Sequence, residues 1–538
     1  MAKTKQKSRR GKKQSSPDKP ALSLKEELAQ KRKATIARKE FTGLVTKVAG
    51  TGLFLGMVLF FVGGIKLAVP GALGIIVITL CYKYPRPALF AFIIYVPFAG
   101  TVIYWLGNSP ILQLAKDAFF FPVAIALWQT CKKKKQPFIV PKAIKTPFML
   151  LFGCCMLTLV MINGGQQLSP SGGDIPIGVG ILGLKVFIGY VPVITCIYYL
   201  IRNQQDFWLL SRIQIVMIIV CGVLGVMQYI LLTIGVCKGT VGVEGDALFK
   251  ASLDARCYVG GALLYTPEQG VIRLPGTFVA PWQWAWFLIS STFFTFATTF
   301  SDKSVLWRLI SLAGLALVFV NAVISGQRIA LALVPVCFVL LLLFTGQLGN
   351  LKRFIPLGGA FALILVIAMA ANPALVQDRI DSFVGRWNAS PPHQFIFEQF
   401  EDNWKDVDTP IGSGLGRATN SARVLGSTKL VETYYPKLLH EVGIVGVMAF
   451  LSFVTSITIA ARKTYRSIKN RNLRTYGASM WVFVLLISYN TYYYPLDVDP
   501  VAVYYWLCAG IIFKLPILDK EEIKEETAVN PKARKKRI

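Results

Sequence analysis

Apolar runs of about 20 residues, the length that crosses a bilayer core as a helix, recur along nearly the whole of this chain. Nothing else in the sequence restricts the fold so strongly. Hydrophobic residues fill 54% of the 538 positions and charged residues only 16%, against roughly 25% charged in a soluble domain. The pattern predicts one all-α, polytopic transmembrane helix bundle rather than soluble domains on linkers. About 14 candidate spans can be drawn between residues 43 and 516, giving an expected count of about 12–14. The second and fifth, 67–82 and 147–162, are short, and Pro70 and Pro122 are placed to bend or break their helices.

The net charge of +30 would suit a nucleic-acid binder, but its distribution excludes that partner. Lys132 to Lys135 follows one apolar run and Arg462 to Lys469 follows another, while further Lys and Arg residues crowd both termini. This is the positive-inside pattern, reinforced by anionic cytoplasmic lipid. It predicts a membrane protein with both termini cytoplasmic, and the basic first 40 residues, which hold no apolar core, are expected to carry no secretory leader. The expected order is a basic, partly disordered cytoplasmic segment (1–41), a bundle (42–371) with an outer loop at 237–273, a large periplasmic loop (372–433), late spans (434–516) and a charged cytoplasmic tail (517–538). Lys25 to Phe41 is expected as a basic surface helix. Most of the ten cysteines lie in apolar runs as small core residues, but Cys237 and Cys257 share one polar loop. They are either a disulfide or two unpaired thiols.

The loop from Asn372 to Thr433 is too long for a plain connector, since loops beyond about 15 residues are usually functional or disordered. It carries Arg379, Arg386, Arg417 and Arg423 and the glycines Gly412, Gly414 and Gly416, which permit a tight turn near a ligand. Walker-type phosphate loops, Cys/His metal spacings and nucleophile elbows are missing. With His393 and His440 the only histidines, no histidine-rich metal site is expected, and no cofactor. What remains is arginine and carboxylate at the outer face. Arg273 precedes a span, and Arg328 closes the turn Ser325-Gly326-Gln327-Arg328. Arginine at membrane depth is kept for a polar cavity or partner, and its planar fork suits phosphate oxygens; snorkelling to the interface is the structural alternative. Asp497 and Asp499 lie in the last outer turn, where they suit a hydroxyl-rich acceptor, and Trp282, Trp284 and Trp286 read as an interfacial belt.

In order and spacing, Gly276-Thr277-Phe278, then Ser325-Gly326-Gln327-Arg328-Ile329-Ala330, then Gly412-Ser413-Gly414-Leu415-Gly416, then Glu441-Val442-Gly443-Ile444-Val445-Gly446 resemble the O-antigen ligase and Wzy-type polymerase superfamily. The resemblance covers roughly Arg273 to Leu451. It implies a metal-independent membrane glycosyltransferase acting at the periplasmic face on an undecaprenyl-diphosphate-linked oligosaccharide donor and a glycan acceptor. Membrane lipid and other polysaccharide-assembly proteins are the further partners expected. On this reading Arg328, with Arg273 and Arg417, holds the diphosphate, and Arg328 and Glu432 are the catalytic pair. His440, Arg379, Arg386 and Glu441 are secondary candidates. Ligases of the family usually carry a His-Asn pair where this chain has Glu432-Thr433. That departure favours a polymerase, with Glu432 as general base on an acceptor hydroxyl. His440 stands eight residues after Glu432, a spacing that would put both on one helix face. The rival readings are an anion transporter of the bicarbonate type and a non-catalytic partner in exopolysaccharide assembly. A transporter should carry ionisable groups along a path through the bundle, whereas Lys66, Lys116 and Lys185 are the main exceptions to nearly charge-free spans.

Overall fold

The computed structural model describes residues 24–529, apart from 109, 246–247, 249–251, 254, 268–269, 348–358 and 360–372. The expected disordered start (1–23), the candidate span 354–371 and the tip of the C-terminal tail therefore lie wholly or largely outside the described residues. The chain divides into two compact units, 1–80 and 81–538.

In the first unit the basic segment and the first apolar run form one helix, α1 (Leu24–Gly63), rather than a separate surface helix and span. Gly64 turns the chain into α2 (Ile65–Lys83), which contains Pro70. The two helices meet through small residues: a Cβ at Gly56 would lie 3.0 Å from that of Ala72. Close approach of this kind is how helices associate where there is no water to drive them together.

The second unit is a helix bundle. Among the described residues of the whole chain, seven helices are long and apolar enough to cross a membrane, or eight if a pair bent by 44° counts as one span. The chain is a multi-pass membrane protein. Fewer helices pass than the fourteen apolar runs because several runs become helices that are too short, such as Arg328–Phe344, or that break midway. The run 88–106 does pass, as Pro85–Trp105, although α3 (Pro85–Tyr95) tightens at Val96–Phe98 before the short helix Ala99–Trp105.

Next come α4 (Ala115–Lys133), α5 (Lys145–Thr158), the bent pair α6 (Pro176–Ile188) and α7 (Val193–Leu200), and the long α8 (Gln204–Thr233). A loop closed by a Cys237–Cys257 disulfide comes next, and after it a two-stranded antiparallel hairpin, β1 (Leu264–Thr266) with β2 (Val271–Arg273). The centre is α9 (Pro281–Ser301), buried along almost its whole length. Its hydroxyls turn back onto their own helix, with Ser290 donating to the Trp286 carbonyl at 2.7 Å and Thr295 to that of Ser291 at 2.7 Å. This satisfies polar groups that water cannot reach. Trp284 and Trp286 are core residues here, not an interfacial belt.

The last elements are α10 (Val305–Ile324), α11 (Arg328–Phe344), α12 (Pro373–Ala389), α13 (Pro392–Lys405), α14 (Tyr434–Arg466), α15 (Arg471–Tyr489) and α16 (Val501–Val529). The long polar segment is thus two helices followed by an irregular stretch, not one open loop.

Candidate functional site

Glycine decides how the irregular stretch docks. Helix α14 carries a non-helical residue, Gly443, at φ 64° and ψ −174°. The loop after α13 packs into that break so closely that a Cβ on Gly443 would stand 2.1 Å from the Pro410 carbonyl oxygen. Only glycine accepts both the backbone angle and the approach. The carbonyls freed by the break are taken up by the loop: Ser413 N–H donates to His440 O at 2.8 Å and Gly414 N–H to Glu441 O at 3.3 Å. Gly412, Gly414 and Gly416 all take positive φ, as their spacing suggested. They shape a docked loop, and at Gly416 a Cβ would lie 2.2 Å from the Val179 carbonyl of α6. Asn163, at the end of a π-turn after α5, completes the seat by pairing with the Leu415 backbone at 2.9 and 3.1 Å. Such π-turns gather at functional sites.

Beneath the loop lies a buried charge cluster. Glu441 Oε1 accepts from Ala418 N–H and from the Thr419 hydroxyl, both at 2.9 Å, and lies 3.8 Å from Lys437. Lys437 Nζ in turn pairs with Asp497 at 2.9 Å. Glu441 Oε2 has no hydrogen-bond partner, and neither has His440 Nδ1. Glu441, a secondary candidate in sequence, is a fully enclosed carboxylate that anchors the loop. The partners Lys437 and Asp497 come from elements 60 residues apart, so only folding could reveal Lys437.

Arg417 is also committed to the protein. Its guanidinium donates to Gln166 at 2.7 and 3.0 Å, to Asp174 at 2.9 Å and to Ser427 O at 3.1 Å. The guanidinium and the Ser427 N–H hold the Asp174 carboxyl below its ordinary value. Arg379 and Arg386 fall on α12, with side chains outside the described residues.

The Arg273 strand and the Arg328 turn come together through their backbones. Arg273 ends β2, and Gly326 of the Arg328 turn packs on that strand, where a Cβ would lie 3.0 Å from Ile272 O and 3.4 Å from the Arg273 Cα. Leu274 N–H donates to Ser325 O at 2.9 Å, locking strand and turn. Arg328 opens α11 and is half-buried, at the start of a helix whose backbone N–H groups add positive potential. Burial pushes the Arg273 guanidinium below its ordinary value, opposed by the fields of Tyr493 and Glu432. Its Nε has no hydrogen-bond partner. Glu432 sits ahead of α14, whose N-cap is Thr433, so the one-face relation expected with His440 does not hold.

The turn 492–500 connects this arginine end to the interior. Thr433 bridges Tyr492, and Tyr434 N–H donates to Thr491 O at 2.7 Å. Tyr493 and Tyr494 both have positive φ, 57° and 26°. Two successive bulky residues there store backbone strain of roughly 1–3 kcal/mol each. Trp286 Nε1 helps hold the turn by donating to Tyr493 O at 3.2 Å. Burial, Glu432 and Asp497 together push the Tyr494 phenol up, keeping it protonated.

On the inner side of the turn is a cavity of about 740 Å³, bordered by Tyr494 and Asp497. Lys116, Asp117, Lys185, Tyr190 and Asp499 line it. Lys116 pairs with Asp499, and Lys185 with Asp117 at 2.7 Å. The bundle interior therefore holds more charge than the sequence suggested, and around this cavity that charge is set in opposed pairs. Among the described residues no group of three or more His, Cys, Asp or Glu side chains is placed to hold a metal ion. No family model matches this chain, and no curated protein does.

Proposed function

We propose that this protein is a membrane-embedded glycosyltransferase of the O-antigen ligase and polymerase type, moving a lipid-diphosphate-linked oligosaccharide onto an acceptor sugar hydroxyl. The observation that carries the reading is the packing of the Arg328 turn on the Arg273 strand. Two arginines carried on packed backbone segments suit a diphosphate leaving group. Breaking a bond to such a group requires charge stabilisation and positioning more than an energy-rich cofactor. Glu432 is half-buried and serves as the base that takes the acceptor proton. In this reading the arginine end faces the periplasm of a bacterial inner membrane, both termini are cytoplasmic, and shorter apolar helices such as Leu67–Lys83 also cross. Arg417 supports the docked loop rather than the diphosphate.

Anion transport is the weaker reading, because Lys116, Lys185 and Lys437 each already face a carboxylate. The test is the lipid-linked glycan pool and surface polysaccharide of a deletion strain, rescued with wild type or with Arg328→Ala. Accumulated single repeat units and missing polymer, restored by wild type alone, are expected. Unchanged polymer in the deletion strain, or full rescue by Arg328→Ala, overturns the reading.

A further inference from the structure

We infer that the cavity inside the 492–500 turn binds an uncharged, polyhydroxylated head group, a sugar, that carries or adjoins an apolar chain. Its volume of about 740 Å³ falls within the range of about 300–1,000 Å³ typical of small-molecule sites. Most of the wall is apolar, including Phe121, Ile181, Leu182 and Trp282. The polar groups are concentrated in the Lys116–Asp499 and Lys185–Asp117 pairs, with Tyr190 beneath both lysines at 5.1 and 5.7 Å from its ring centre.

Charge matching excludes the simpler ligands. A phosphate or carboxylate entering the cavity would meet Asp117, Asp497 and Asp499 as well as the two ammoniums. A cation would meet Lys116 and Lys185. A hydroxyl meets no such penalty, because it both donates and accepts. Two buried atoms of residues that line the cavity have no hydrogen-bond partner, Asp499 Oδ1 and Tyr95 Oη. The first needs a donor and the second takes either role. Each lysine also keeps N–H bonds beyond the one used in its ion pair. Neighbouring sugar hydroxyls meet all of these demands together.

As the acceptor site of the proposed transfer, the cavity rests on that reading; as a sugar-binding site it does not. The probe is a diazirine-bearing dodecyl maltoside, added to the full-length protein in lipid nanodiscs and mapped by mass spectrometry after illumination. Labelling is expected within residues 110–131, 176–190, 278–283 and 494–502, and it is competed by dodecyl maltoside but not by dodecanol or dodecyl phosphate. The double variant Lys185→Met with Asp117→Leu removes both charges, so none is left buried alone. It should lower labelling by about tenfold, the loss expected for one charge-assisted hydrogen bond. Asp499→Asn keeps the cavity's shape and serves where the double variant unfolds, with the same direction of effect. Labelling that ignores these variants, or that dodecyl phosphate or dodecanol competes equally well, overturns the inference. Arg328→Ala separates the two proposals. If it abolishes polymer while labelling fails to map to the cavity, the transfer reading stands and the cavity site falls. If labelling maps as expected while polymer survives, the reverse holds.

Discussion

The second unit places cations in two kinds of setting. In the bundle, Lys437, Lys185 and Lys116 each face a carboxylate brought from a distant element. At the arginine end, Arg273 has no carboxylate at ion-pair distance among the described residues, and its Nε lacks a hydrogen-bond partner. The first setting cancels charge that the bundle could not otherwise bury, and it fixes one element against another. The second leaves a guanidinium half-buried and electrostatically available, which costs stability and makes sense beside an anionic ligand. The difference separates charges already neutralised within the bundle from one that is not.

Substitutions should split along that line. Under the proposed function, Arg273→Ala is expected to lower polymer synthesis on the order of 100–1,000-fold, the range for losing one charge-stabilising donor, with little change in thermal stability. A large stability loss in purified protein would move Arg273 into the structural class and erase the contrast. Glu441→Ala should do the opposite, destabilising the unit by about 3–5 kcal/mol because Lys437 loses a buried counter-charge. Denaturation in detergent measures this, and a neutral result would show that Asp497 alone suffices for Lys437. Gly443→Ala follows, with at least about 1–3 kcal/mol of backbone strain and release of the loop. Faster proteolysis between residues 406 and 433 than in wild type is the sign to look for.

The smallest effect concerns pH. The Asp174 carboxyl is held below its ordinary value chiefly by Arg417, so the tie's contribution is complete above the unfolded aspartate value of about 3.9. It is lost as pH falls through the lower, folded value. Protection of the Ser427 N–H, taken relative to its intrinsic exchange rate, should therefore fall on acidification through that window in wild type. An equal fall in Arg417→Ala would remove this pair from the account.

Helical class and membrane character were legible because composition and run length leave the backbone few alternatives. The glycines of 412–416 were legible too, since three in five residues signal an unusual backbone. Their role was not: they fit a docked loop to a helix break at Gly443, inside a stretch that reads as one span. Lys116 and Lys185 were visible as exceptions among apolar runs, but their partners were not, because Asp499 lies 383 residues from Lys116. Arg417 shows the reverse failure. It looked like Arg273 and Arg328 in sequence, and only the position of Asp174, 243 residues earlier, assigns it to the loop's seat.

By itself, then, the sequence determined that this chain is a helical multi-pass membrane protein and which of its residues have the chemistry to hold an anion. Those properties belong to segments: hydropathy over about 20 residues, or the chemistry of one side chain. Which charges cancel and which remain available was decided by tertiary structure alone. Coulombic pairing depends on separation in space, and the bundle closes distances of hundreds of residues that no local pattern encodes.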